Sequence, residues 1–243
     1  MADRIIEYLF PEVSNLYGDP FNIKYMAKCI SENGLSAEIV EDSLNSEPFF
    51  ASHKPDMIYM GPMTEHSQEL VIDRLKGYKD RLKELINEGV LFLITGNAPE
   101  IFETGIECED GRVIEGLGLF SFTAKRKMFN RYNSLFLGEF EGIKVVGNKS
   151  QFTHSYGDTG KEGFIRVTRG DGFAPGEPYE GIRRKNFFAT YLLGPLLPLN
   201  PLLTKCFLSL MGINEPKTAF EAEAMNAYKI RLAEFENPTT ELN

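Results

Sequence analysis

An α/β fold, with helices over both faces of a mostly parallel sheet and an antiparallel extension, is predicted by three features of this 243-residue chain. Short apolar runs alternate with helical patterns through the first part of the sequence. Those runs are almost wholly apolar rather than alternating, as in parallel strands covered on both faces. The later part changes to short segments separated by Gly-rich turns, the pattern of hairpins.

Taken in order, Ile5 to Phe10 reads as the first strand, followed by the loop "PEVSNLYGDP" and a helix over 21–33 that stops at Gly34. Residues 36–40 and 56–60 form two further strands, the latter entered through Pro55. A long helical pattern over 65–87 ends at Gly89, and "VLFLI" (90–94) is the fourth strand. It runs straight into Thr95-Gly96-Asn97, and Pro99-Glu100 then opens a helix. Such a strand-turn-helix elbow can lift one side chain above the sheet next to free backbone N–H groups. Loops at the carboxyl ends of parallel strands bind ligands, so those after Phe10, Met60 and Ile94 are expected to converge on one crevice. "GIECEDGRVIEGLGLFSFTAKR", "NSLFLGEFEGIKVVGN" and "EGFIRVTRGDG" read as hairpin strands, and "KNFFATYLLG" as one more apolar strand. Helices over 201–211 and 218–236 close a single domain, 1–236, with 237–243 as a flexible tail.

The formal charge of −9 argues against a nucleic-acid partner, because affinity for phosphate backbones rests on Lys and Arg. The clusters Lys125-Arg126-Lys127 and Arg183-Arg184-Lys185 read as solvated faces. Cys29, Cys108 and Cys206 have no C-x-x-C spacing and read as reduced cytosolic thiols, Cys29 and Cys206 in core helices and Cys108 blunted between Glu107 and Glu109. "MADRIIEYLF" is charged too early for a signal peptide, and "LLGPLLPLNPLL" is broken by prolines. A cytoplasmic location without a membrane partner is expected. His53 and His66 lack ligand spacing, so neither a metal nor a cofactor is expected.

Four stretches in order, "NLYGDPFNI" (15–23), "DMIYMGPMTEHSQE" (56–69), "EGLGLFSFTAKR" (115–126) and "KNFFATYLLGPLLPLNP" (185–201), resemble the class I glutamine amidotransferases of the cobyric acid synthase type. Within them the resemblance is nearest to the glutaminase subunits of lipid II isoglutaminyl synthase. It implies a flavodoxin-like three-layer fold, a cysteine nucleophile on the elbow, a histidine base on a later strand, and ammonia passed to a synthetase partner. It also implies that the chemistry has been lost: the nucleophile position is Thr95, the dyad position is Leu193, and the segment "GNKSQ" (147–151) has no histidine. Pro62, next to Gly61, has no N–H to offer an oxyanion.

The expected role is therefore that of a catalytically degenerate binding or regulatory subunit, partnered by a Mur-ligase-like synthetase. One alternative is an active glutaminase rearranged around Thr95 and His154; another is a small-molecule protein that holds a glutamine-like amide or amino acid. Residues expected at the crevice are Tyr17, Asp19, Asn22, Gly61, Gly96, Asn97, Gln151 and Tyr191. Asp19 and Thr95 also fit a plainer role as helix caps. The resemblance further suggests that Thr95→Cys with Leu193→His would recover weak glutaminase activity, limited by Pro62.

Overall fold

The computed structural model describes residues 2–241. The large sheet begins with β1 (Arg4–Leu9), β2 (Ala37–Asp42), β3 (Met57–Met60) and β4 (Leu91–Thr95). Its helices are α1 (Phe21–Glu32), α2 (Glu65–Lys76), α3 (Lys79–Glu88) and the single turn α4 (Pro99–Phe102) after β4. A small sheet holds β5 (Gly105–Glu107), β6 (Val113–Glu115) and β7 (Phe122–Arg126). β8 (Tyr132–Phe140) and β9 (Ile143–Gln151) form a long hairpin, and β10 (Thr153–Gly157) joins the small sheet. After the short α5 (Thr159–Glu162) come β11 (Gly163–Arg169), β12 (Tyr179–Arg184) and β13 (Phe187–Thr190). The short α6 (Leu196–Leu199), α7 (Pro201–Leu210) and α8 (Glu221–Glu236) complete the chain.

The large sheet runs β2-β1-β3-β4-β13-β12-β11-β8-β9. The first five strands are parallel and the last four extend them antiparallel. The parallel order is that of the flavodoxin-like sheet, so the flavodoxin-like fold with an antiparallel extension is what the chain adopts. Alternation along each strand divides the core. Phe92, Ile94, Ile58, Met60 and Phe187 face the layer made by α2, α3, α4 and the small sheet. Leu91, Leu93, Met57, Tyr59 and Phe188 face α1 and α7.

Several expectations are corrected. The helix expected over 65–87 is two, broken at Gly77-Tyr78, with α3 ending on Gly89 at φ 79°. The stretch 116–120 is not a strand: Gly116, Leu117 and Leu119 donate instead to the carbonyls of Thr104, Ile101 and Phe102. Residues 237–240 are held by Arg169, whose guanidinium donates to the carbonyls of Phe235, Asn237 and Thr240; residues 242–243 of the expected tail lie outside the described residues. Arg126 is buried, 3.6 Å from Glu100, rather than solvated. Cys29 is buried, with its thiol pushed up by burial, while Cys206 is only half-buried. No helix among the described residues is long and apolar enough to cross a membrane.

Buried carboxyls set a pH dependence. Glu7 on β1 accepts from the Phe50 N–H at 2.8 Å, and Asp42 on β2 accepts from the Phe49 N–H at 3.1 Å. Burial, reinforced by the adjacent Asp42, pushes the Glu7 carboxyl from 4.5 up to about 9. The folded chain thus keeps a proton that the unfolded chain releases. Glu7's contribution to stability is full below pH 4.5, declines as the pH rises above it and is lost once the pH has climbed through 9. Thermal melts between pH 6 and pH 9 are expected to show this fall, and Glu7→Gln to flatten it, since an amide holds the Phe50 contact without ionising.

Candidate functional site

The loops following β1, β3, β4 and β13 meet at the carboxyl ends of the parallel strands, where the sequence places the crevice. Leu16 donates its N–H to the Pro62 carbonyl at 3.2 Å. Asn97 clasps Met63 like a strand partner, its Oδ1 accepting from the Met63 N–H at 3.0 Å and its Nδ2 donating to the carbonyl at 2.9 Å. What remains open is a cleft of about 150 Å³, with Tyr17, Pro62, Asn97, Arg131, Gln151 and Leu193 in its walls. That is smaller than the usual pocket for a drug-sized ligand.

Thr95 does not rise into this cleft. As the last residue of β4 it follows Leu91 and Leu93 onto the α1 face, and it is fully buried. Its hydroxyl donates to Asp19 Oδ2 at 2.5 Å and lies 3.4 Å from the Tyr59 hydroxyl. Asp19 and Asn22, expected at the crevice, are sealed in the same cluster. Asn22 Nδ2 donates to Asp19 Oδ1 at 3.0 Å, and Tyr59 donates to the Asp19 carbonyl at 2.9 Å. Burial raises the Asp19 carboxyl to about 7 against the pull of these donors. Neither plain capping role holds, because α1 and α4 have no side-chain cap.

The sharp residue of the elbow is Gly96, at φ 62°. A Cβ there would lie 2.4 Å from the Cβ of Pro62, so the proline ring fills the space a side chain at the elbow would need. Gly61 is buried as closely, with its Cβ position 2.7 Å from the Ser14 carbonyl. Leu193 is buried apart from its cleft-facing edge and donates its N–H to Asn148 at 2.9 Å.

Of the other expected residues, Tyr191 is not in the cleft. It lies fully buried with its hydroxyl 2.8 Å from Ser155 and 3.3 Å from Glu100. Tyr17 and Gln151 do line the cleft, the Gln151 Nε2 donating to the Thr153 carbonyl at 2.6 Å. His154 stands on β10 in the small sheet, opposite Lys125, with its ring 5.2 Å from that of Tyr132 and its Nδ1 3.4 Å from Gln151. Burial lowers its pKa. No hydrogen bond joins His154 to Thr95, whose partners are Asp19 and Tyr59.

Comparison with known proteins gives the geometry a setting. The chain is 27% identical over 200 residues to the GatD subunit of lipid II isoglutaminyl synthase (glutamine-hydrolyzing) of Staphylococcus aureus (strain N315), spanning 82% of this chain and 81% of that one. It is 28% identical over 206 residues to the GatD subunit of Streptococcus pneumoniae (strain ATCC BAA-255 / R6), spanning 80% and 75%. The chain is thus related to subunits of glutamine-hydrolysing synthases. No protein-family model matches it. Among solved structures, PurLQS from Thermotoga maritima aligns over 96% of this chain and all of its own, with a TM-score of 0.54 at 11% identity. The glutaminase domain of Trypanosoma brucei CTPS with bound acivicin aligns over 86% of this chain and 94% of its own, with a TM-score of 0.53 at 10% identity. These two likenesses are of fold.

Two features of the site carry little signal in the sequence. Arg131, in the β7–β8 connection, reaches the cleft rim, donates to the Tyr17 hydroxyl at 3.2 Å and stacks 4.4 Å over Phe152. Glu100, one turn beyond the elbow, is buried against Arg126, Gln68 and Tyr191, and burial raises its carboxyl to about 7. A lone basic residue between hairpins and a lone acid in a short helix look solvated in a one-dimensional reading.

Proposed function

We propose that this chain is a non-hydrolysing relative of the glutaminase subunits, acting by binding a synthetase of Mur-ligase type in the cytoplasm. The observation that carries this reading is the occupied elbow. A nucleophile mounted on a strand-turn-helix motif sits on the strained residue of the turn. Here that residue is Gly96, which has no side chain, and Pro62 fills the space above it. The elbow position is accordingly Gly96 rather than Thr95, and the dyad position, Leu193, supplies no base. Removing either member of such a pair costs several orders of magnitude in rate.

The alternative of a Thr95–His154 enzyme is disfavoured, because an alcohol needs an adjacent base and Thr95 instead donates to a buried carboxyl. The small-molecule alternative keeps some support from the cleft beside Arg131 and Gln151, though Asp19 and Tyr191 are withdrawn from it.

Reactivation tests the reading. Gly96→Cys combined with Pro62→Gly and Leu193→His is expected to gain measurable glutaminase activity. Thr95→Cys with Leu193→His is expected to stay silent, because its thiol would be sealed beside Asp19. Activity in the second variant and none in the first would reverse the assignment of the elbow.

A further inference from the structure

One buried carboxyl ties the walls of the cleft together. Asp19 lies in the loop after β1 and is fully buried. Its Oδ2 meets the Thr95 hydroxyl of β4 at 2.5 Å and its Oδ1 meets Asn22 Nδ2 of α1 at 3.0 Å, while its carbonyl accepts from the Tyr59 hydroxyl of β3 at 2.9 Å. The loop after β13 closes on the same group. A Cβ on Gly194 would lie 1.9 Å from Asp19 Oδ1, and the Gly194 N–H is a further donor to the carboxyl. Asn22 extends the contact, its Oδ1 accepting from the Leu197 N–H at 2.9 Å.

These bonds join the two loops that carry opposite parts of the cleft lining. Leu16 and Tyr17 stand just before Asp19, and Leu193 directly precedes Gly194. Tyr17 is held at φ 59°, a conformation that aromatic residues rarely adopt, so its loop keeps this shape only while it is anchored.

Nothing in the cluster offsets a negative charge. The side chains on the carboxyl are Asn22, Tyr59 and Thr95, and Tyr8 of β1 packs behind Tyr59 with ring centroids 5.3 Å apart. Burial pushes the Tyr8 phenol up to about 12 and that of Tyr59 well above its ordinary 10, so both stay neutral. The charges acting on Tyr8 from this side are the exposed acids Glu12 and Glu41, and Lys24 of α1 is turned to the Phe21 ring. Asp19 makes no ion pair among the described residues. Protonated, it fits the cluster, with its own O–H donating to Thr95 in place of the reverse bond. Ionised, it is a buried charge without a cation, and admitting water is what lowers its energy. Burial accordingly raises the group from 3.8 to about 7.

We propose that Asp19 is a pH-dependent latch on the cleft: with its proton it locks the loop of Tyr17 to the loop of Leu193, and without it the two loops part and water enters between them. The proposal goes beyond the reading of the chain as a binding subunit and holds whether or not the chain hydrolyses glutamine. In the open form Asp19 is solvated and titrates near 3.8, whereas in the closed form it titrates near 7. The advantage that the proton gives the closed form is therefore full below pH 3.8, declines as the pH rises above it and is lost once the pH has passed 7.

Exchange of the Gly194 and Leu197 amides in the full chain, followed by NMR from about pH 5 to about pH 8 and divided by the intrinsic rate, reads the opening equilibrium. The Leu93 amide of β4 reports global unfolding alongside. Opening is expected to rise about tenfold per pH unit up to pH 7 and to level off above it, with Leu93 slower throughout. Asp19→Asn, which keeps the shape and cannot ionise, is expected to give a flat profile. Thr95→Val removes a donor to the ionised form and is expected to move the levelling-off up by about one pH unit. A flat profile in the unmodified chain, the same rise in Asp19→Asn, or an unmoved plateau in Thr95→Val overturns the proposal. So does a profile that Glu100→Gln flattens, which would give the titration to the other buried carboxyl raised to about 7. If Asp19→Asn does not fold, the unmodified chain and Thr95→Val decide between the same outcomes. Ammonia release from glutamine by the unmodified chain would instead defeat the reading of the elbow while leaving the exchange result standing.

Discussion

Lys149→Met is expected to cost about 3 to 5 kcal/mol of folding stability, the usual penalty when one member of a buried ion pair is removed. Lys149 on β9 and Glu180 on β12 are both fully buried, 2.9 Å apart. The ammonium also donates to the carbonyls of Asp171 at 2.6 Å and Gly172 at 2.7 Å, so all three of its protons are used. Glu180 in turn accepts from the Thr190 hydroxyl at 2.9 Å and the Tyr191 N–H at 2.7 Å, which fixes the end of β13 and the loop carrying Leu193. Methionine keeps most of the volume but leaves the carboxylate without its cation and two carbonyls without a donor. Urea unfolding of Lys149→Met and of Lys149→Met/Glu180→Gln measures the effect. The double variant is expected to regain part of the loss, because its neutral amide is cheaper to bury than an unpaired charge.

Gly96→Cys is the second large effect. A side chain at φ 62° costs about 1 to 2 kcal/mol. The overlap with Pro62, at 2.4 Å between Cβ positions, adds an overpacking penalty of about 1 to 3 kcal/mol. Pro62→Gly should remove the second part and leave the first. A double-mutant cycle by thermal or urea unfolding separates them. A coupling of about 1 kcal/mol or more ties the two positions together, and strict additivity would mean that the backbone simply moves aside.

The parallel half of the fold is legible because strands buried on both faces are continuous apolar runs, and "VLFLI" can be little else. The small sheet is not legible: β5 and β6 have three residues each, and "EGLGLFSF" looks like a strand although its first part is a loop pinned to α4. The site shows the same limit. Leu193 and Pro62 lie in stretches that the sequence resemblance marks, and both fall at the cleft. The face on which a side chain points is harder to read, since a strand covered on both sides has apolar residues at odd and even positions alike. A shift of one residue moves Thr95 from the elbow to the α1 layer and gives the elbow to Gly96. For the same reason Asp19, Asn22 and Tyr191, polar residues next to the crevice in sequence, turn inward to satisfy one another or Glu100.

The most direct test of the proposal that the elbow is disarmed is ammonia release from glutamine by the purified chain, with Thr95→Ala and His154→Ala prepared in parallel. The account predicts that all three proteins match the buffer blank. Release by the unmodified chain that is lost in Thr95→Ala would contradict it and make Thr95 a working nucleophile.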